Sequence, residues 1–155
     1  MKTKYTVEKL DDLLTDVIDC PHSTPRWSVS GKRVVRNFNL KDGNLDFSDG
    51  YFVDEGTYLA RVRRGRPEAN DIIISREAPI GCLGQRLVLL KVDKEKCSPH
   101  YLLFALMSEY AQTQFRRANA TGSIASNLTI PDLKEVTVPI VDDQEEAGEL
   151  LWSIN

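Results

Sequence analysis

Residues 86–117 read RLVLLKVDKEKCSPHYLLFALMSEYAQTQFRR. The stretch opens on a short, nearly continuous apolar run, which predicts a buried strand over 86–92. A helix start follows at Ser98 and Pro99. Serine suits an N-cap, and proline suits the first helical position, where its missing N–H is no loss. Leu102, Leu103, Leu106, Tyr110 and Phe115 then fall roughly along one stripe, so the spacing predicts one helix over 98–117. Arg116 and Arg117 fall in its last turn, where cations complement the helix dipole. A buried strand followed by an amphipathic helix, in a chain of 155 residues, points to one α+β domain with a core of its own.

Upstream, residues 71–75, DIIIS, are a second β-rich apolar run and predict a further buried strand. Residues 7–18, VEKLDDLLTDVI, place Val7, Leu10, Leu13, Leu14, Val17 and Ile18 at helical spacing. They predict a short helix ending at CPHSTPRW, where Pro21 and Pro25 forbid regular continuation. KRVVRNFNL, 32–40, predicts a strand, and the Asp- and Gly-rich 41–58 predicts turns joining short strands. Downstream, residues 118–133 form a polar loop without charge until Asp132. KEVTVPIV then predicts a strand, and DDQEEAGELLWSIN the acid-capped start of a helix. The expected architecture is a curved, mostly antiparallel sheet with one main helix and short flanking helices. Its domain spans 1–141, and 142–155 begins a further, truncated helix.

The formal net charge of −3 hides an uneven distribution. Residues 1–25 hold five acids against three lysines, and 132–155 hold seven acids against Lys134. The centre, 26–131, holds 16 basic and 11 acidic side chains, a net +5. A positive centre can steer an anionic ligand. Its cations are mostly arginines. Arg26, Lys32, Arg33, Arg36 and Lys41 follow one another without an acid, and RVRRGRPEANDIIISRE, 61–77, sets Arg61, Arg63, Arg64 and Arg66 directly before an apolar strand. The guanidinium fork matches phosphate oxygens and the guanine edge in bidentate fashion. Asn37, Asn39, Asn44, Ser123, Ser126 and Asn127 add amides and hydroxyls on predicted loops. The expected DNA contacts are Arg33, Arg36 and Lys41 at phosphates, Arg61, Arg63, Arg64 and Arg66 at backbone or bases, and Ser123, Ser126 and Asn127 from a loop. The competing account has Arg61 and Arg63 alternating along a strand into water, and Arg76 in a surface pair with Glu77.

Other chemistries find little support. No apolar run is long enough to cross a membrane, and MKTKYTVEKLDD has no signal-like apolar stretch. Three widely spaced cysteines, Cys20, Cys82 and Cys97, fit a reducing cytoplasm rather than a disulfide framework. There is no phosphate-binding loop and no dinucleotide fingerprint. The CPH at 20–22 and the CSPH at 97–100 lack familiar zinc spacing. Cys82 has no sequence neighbour to lower its pKa. PDLKEV lacks the final lysine and the upstream acidic partner of a nuclease core.

Six stretches in order carry a family resemblance: CPHSTPRW, VVRNFNLKDGNL, GRPEANDIIISREAPIG, CLGQRLVLL, YLLFALMS and TGSIASNLTIPDLKEVTVPI. Together, over about residues 8–147, they resemble the target recognition domain of a type I restriction-modification specificity subunit. The resemblance implies a non-catalytic chain that reads part of a bipartite site in double-stranded DNA and recruits the methyltransferase subunit. The restriction subunit is engaged indirectly. It implies no cofactor on this chain: S-adenosylmethionine, ATP and Mg serve the partner subunits. Within that resemblance, DIIISREAPIG is frame rather than reader, and Arg76 is structural. The chain departs from the family's pattern in three places. It has one recognition domain where two are usual. APIGCLGQRL lacks the longer excursion common between its halves. Ala69-Asn70 stands where a glycine usually precedes the Asp.

Overall fold

In the computed structural model, which describes residues 4–76, 87–120 and 128–154, the chain begins with β1 (Tyr5–Lys9), a 3₁₀ turn and β2 (Leu14–Asp19). Short elements follow: β3 (Lys32–Arg33), β4 (Leu40–Lys41), β5 (Asn44–Leu45), β6 (Phe52–Val53) and α1 (Glu55–Arg61). Then come β7 (Ile72–Ser75), β8 (Leu87–Val92), α2 (Pro99–Met107), α3 (Glu109–Ala120), α4 (Ile130–Glu135), β9 (Thr137–Val141) and α5 (Gln144–Ile154). The fold is mixed α+β, and every strand pair among the described residues is antiparallel. In place of one curved sheet there are four small ones: β2–β8–β7, and the pairs β1–β9, β3–β6 and β4–β5. The last two pairs have strands of only two residues, too short to extend a common sheet.

β8 is the centre of the core. It lies between β2 and β7, and five of its six residues are buried, which is why its sequence is apolar almost throughout. Val88 and Leu90 join Leu10, Leu102, Leu133 and Val138 in one cluster, all at 0 % exposure. Each such leucine contributes roughly 1.5–3 kcal/mol by leaving water. No helix among the described residues is long and apolar enough to cross a membrane.

Residues 7–18 are not a helix. Tyr5–Lys9 pair with Val141–Thr137, and Leu14–Asp19 pair with Val92–Val88. Only Leu10–Leu13 keep helical character, as a 3₁₀ turn that buries both leucines and donates from Leu10 N to Val136 O at 2.7 Å. Thr6, Val7, Thr15, Val17 and Ile18 are β-branched, and two partner strands outweigh a weak helical period.

The expected long helix is also two helices. Ser108 is extended (ψ 153°), donates its hydroxyl to Ala105 O at 2.6 Å and accepts from Gln112 N through its carbonyl, so it closes α2 and opens α3. Ser98 sits at the N-cap as expected, but its side chain makes no capping bond. Gln144 ties down that end instead: its Oε1 accepts from Ser98 N at 3.0 Å and its Nε2 donates to Lys96 O at 3.1 Å. Through this bridge α5 docks on α2, and Trp152 stacks on His100 with centroids 4.8 Å apart.

The docking requires Gly148. A Cβ there would sit 2.6 Å from the backbone N of Tyr101 and 3.2 Å from Ser98 Oγ. Alanine would gain about 1 kcal/mol of helix propensity but overpack a rigid backbone contact at about 1–3 kcal/mol. Gly148→Ala is therefore expected to lower the melting temperature by roughly 4 °C and to change Trp152 fluorescence. An unchanged melting temperature would mean that the two helices are not in close contact.

Candidate nucleic-acid interface

The segment from Trp27 to Tyr58 builds a small platform of turns and paired strands. β3 faces β6 with Lys32 opposite Val53 and Arg33 opposite Phe52. Gly31 makes the approach possible: at φ +127° a Cβ would fall 2.4 Å from Val53 O, so other residues are excluded by both strain and contact. Asp42 (φ 48°) and Gly43 (φ 80°) turn β4 into β5, as a DG pair between short strands predicts.

Asn39, expected to be an available loop amide, is a buried knot instead. It is 1 % exposed; its Oδ1 accepts from Arg36 N at 2.9 Å and its Nδ2 donates to Asp46 O at 2.7 Å. Asp46 N returns a bond to Asn39 O at 2.8 Å. Asn39→Ala would strand these buried groups, and a loss of about 2 kcal/mol is expected in denaturant titration. A loss under about 0.5 kcal/mol would show that the loop closes without its amide.

Aromatic rings hold two of the predicted cations. The Arg36 guanidinium lies 4.7 Å from the Tyr51 ring centroid, 5.0 Å from Phe38 and 5.5 Å from Trp27. Arg33 lies 4.9 Å from Phe47 and 5.4 Å from Phe52, and donates to Phe47 O at 2.9 Å. Each stack is worth about 0.5–2 kcal/mol and fixes the fork in place. Neither guanidinium forms an ion pair among the described residues. Lys41 differs: it is paired with Asp46, which raises the lysine's pKa and, with help from Ser48, holds the Asp46 carboxyl well below the usual carboxylate range.

The 61–66 cluster divides by role. Arg61 closes α1 rather than lying in a strand, so the alternation of Arg61 and Arg63 along a strand does not occur. Its guanidinium reaches back to Ser23 O at 3.0 Å and Pro21 O at 3.2 Å, and burial pulls its pKa down. Arg64 donates to Asp19 O at 3.4 Å. Arg76 grips the Asp19 carboxylate at 3.0 and 3.2 Å and donates to Leu128 O at 3.3 Å. Three arginines thus brace residues 19–23. Arg63 and Arg66 are exposed, and Arg66 shares the Tyr58 ring with Lys32, at 5.8 and 5.6 Å. Lys91 fixes the loop behind them, donating to Arg66 O, Asp71 Oδ2 and Glu68 Oε2 at 2.7, 2.7 and 3.1 Å.

Ser123, Ser126 and Asn127 lie outside the described residues, as do Glu77, Pro79, Gly81, Cys82 and Arg86. His22 Nε2 bonds Asp19 Oδ2 at 2.9 Å, and burial pushes the Cys97 thiol up to about 12. No group of three or more metal-type side chains gathers among the described residues. The sequence reading named the cations and missed the rings. The signal is in the chain: Trp27 and Phe38 fall among Arg26, Lys32, Arg33, Arg36 and Lys41, and Phe47, Tyr51, Phe52 and Tyr58 follow directly after them. No protein-family model matches this chain, and no curated protein matches it.

Proposed function

We propose that this chain reads double-stranded DNA sequence-specifically, without catalysis, in the role of a specificity subunit of a type I restriction-modification system. In this role it works in the cytoplasm and recruits the methyltransferase subunit, and through it the restriction subunit. It binds no cofactor itself; S-adenosylmethionine, ATP and Mg act on the partners. One observation carries the reading: Arg33 and Arg36 are held on ring faces of a braced platform, with no carboxylate pairing either guanidinium among the described residues. Pre-positioned forks are what bidentate readout of phosphate or guanine needs. The ordered resemblance to recognition domains supports the same assignment. Of the expected contacts, Arg33, Arg36, Arg63 and Arg66 are the most available. Lys41 is partly neutralised by Asp46, while Arg61 and Arg64 shape the 19–23 loop.

Selection from a randomised duplex pool, with and without the methyltransferase subunit, tests the reading. A single enriched motif is expected. Roughly five phosphate contacts should give a log–log salt slope of about −4.5. No enrichment and a flat salt response would reject it.

A second reading has its own observation. α5 exposes Leu150 (62 %) and Ile154 (74 %) one turn apart, which suits docking against a partner helix in a protein-interaction module with little DNA binding of its own. Leu150→Asp with Ile154→Asp leaves Gln144 and Gly148 in place. Loss of methyltransferase capture with duplex binding intact would favour this reading for α5.

A further inference from the structure

We infer that the ring cluster of Trp27, Phe38 and Tyr51, with Arg33 and Arg36, is a stacking site for an unpaired DNA base. This rests on the DNA reading above and adds to it that the protein contacts a base outside the helix stack.

Exposure is the first ground. Trp27, Phe38 and Tyr51 are 38, 41 and 38 % exposed, although their rings pack on one another at 5.1 and 5.6 Å. Each of the three keeps more than a third of its area in water, and neighbouring large aromatics exposed to that extent mark a contact surface. Phe47, 40 % exposed beside Arg33, extends it. The rings are inclined to one another: Trp27 meets Tyr51 edge to face at an interplanar angle of 60°, and Phe38 is tilted to it at 58°. The rings therefore do not stack flat on one another; Arg36 lies over one face of each, and a flat ligand would use the ring area that remains exposed beside it.

Charge is the second ground and selects the occupant. No acid occurs from Cys20 to Lys41, while Arg26, Lys32, Arg33, Arg36 and Lys41 do. Five acids lie on the platform: Asp46 pairs with Lys41, Asp54 accepts from Thr57 N at 2.7 Å and Glu55 pairs with Lys32 at 3.6 Å, leaving Asp42 and Asp49. An apolar peptide gains nothing from that field. A flat heteroaromatic ring carried on a polyanion gains from both the rings and the guanidinium groups among them, and aromatic stacking beside cations is the general chemistry of unpaired-strand binding. Bases inside an intact duplex offer only their edges, so the platform has a use only where a base is unstacked.

Third, the platform is built in advance. Asn39 knots the 36–46 loop, and Gly31 locks β3 against β6. Little ordering is left for the ligand to impose.

The test uses the full chain carrying Trp152→Phe, which keeps a ring on His100 and leaves Trp27 as the sole tryptophan. The probes are a perfect duplex, the same duplex with one extra unpaired thymine, and a single thymidine strand of roughly ten nucleotides. Anisotropy of the labelled DNA gives affinity, and Trp27 fluorescence reports stacking. The expected result is strong Trp27 quenching by the bulged duplex and the single strand, and affinity for the bulged duplex roughly tenfold above the perfect one. Trp27→Ala should abolish that preference, by roughly tenfold or more per stacked base. Trp27→Tyr, which keeps a stacking ring, should retain most of it and so separates loss of the ring from loss of the fold. Perfect and bulged duplexes bound alike, with Trp27 unquenched, would overturn this inference and leave duplex recognition standing. Failure to bind any of the three probes would overturn both.

Discussion

Asp19→Ala is expected to lower the free energy of unfolding by about 3 kcal/mol, because it leaves a buried guanidinium without its anion. The Arg76 side chain is 10 % exposed, and one of its terminal nitrogens reaches both Asp19 oxygens. Among the described residues its further bond, to Leu128 O, is to a neutral group, and its Nε has no partner. The Asp19 side chain is 24 % exposed, so water recovers part of the loss and keeps the effect at the lower end for a broken buried pair. Arg76→Met added to Asp19→Ala should restore much of the stability, since the stranded charge is then gone. Urea titration of the three variants gives the coupling. A single-variant loss under about 1 kcal/mol would show that the pair is solvated and weak.

The second large effect is on binding. Arg33→Gln with Arg36→Gln should weaken duplex binding roughly hundredfold, taking about 1–3 kcal/mol for each lost fork. Glutamine keeps a polar stem over the rings, and circular dichroism should be unchanged. Lys134→Gln is the control, because Lys134 sits in the acidic C-terminal region and pairs with Asp11 at 2.9 Å. If the double variant weakens all sequences equally, the two arginines hold phosphate. If it relaxes one position of the motif, at least one reads a base. Unchanged affinity would remove the platform from the interface.

The core was largely readable from the chain. RLVLLKV gave β8 because a strand buried on both faces must be apolar at nearly every position, while DIIIS, expected to be buried, gave the edge strand β7, in which only Ile72 is fully buried. Pro99 marked the start of α2, since proline's geometry is local. The misreadings have two causes: partners distant in sequence, and local side-chain bonds that no periodicity reports. Val7–Ile18 satisfied a helical period, but its partners in β8 and β9 lie far down the chain. Ser108 broke the long helix by capping on both sides, a choice no periodicity reports. The arginine cluster at 61–66 was visible, yet its division was not. Arg61 turned back onto the carbonyls of Pro21 and Ser23, and Arg64, though exposed, reaches that of Asp19. Asn39 was taken for an available amide, but its neighbours Arg36 and Asp46 supply the local bonds that bury it.

The pairing of Tyr5 with Val141 also has a consequence for biosynthesis. At about ten residues per second on the ribosome, the first strand waits on the order of ten seconds for its complement to emerge. During that interval Tyr5 and Val7 are an uncovered strand edge open to chaperones or to another nascent copy. A ribosome stalled before codon 137 should therefore hold a chain whose N-terminal residues are cut readily by protease, and release past codon 141 should protect them in a single step.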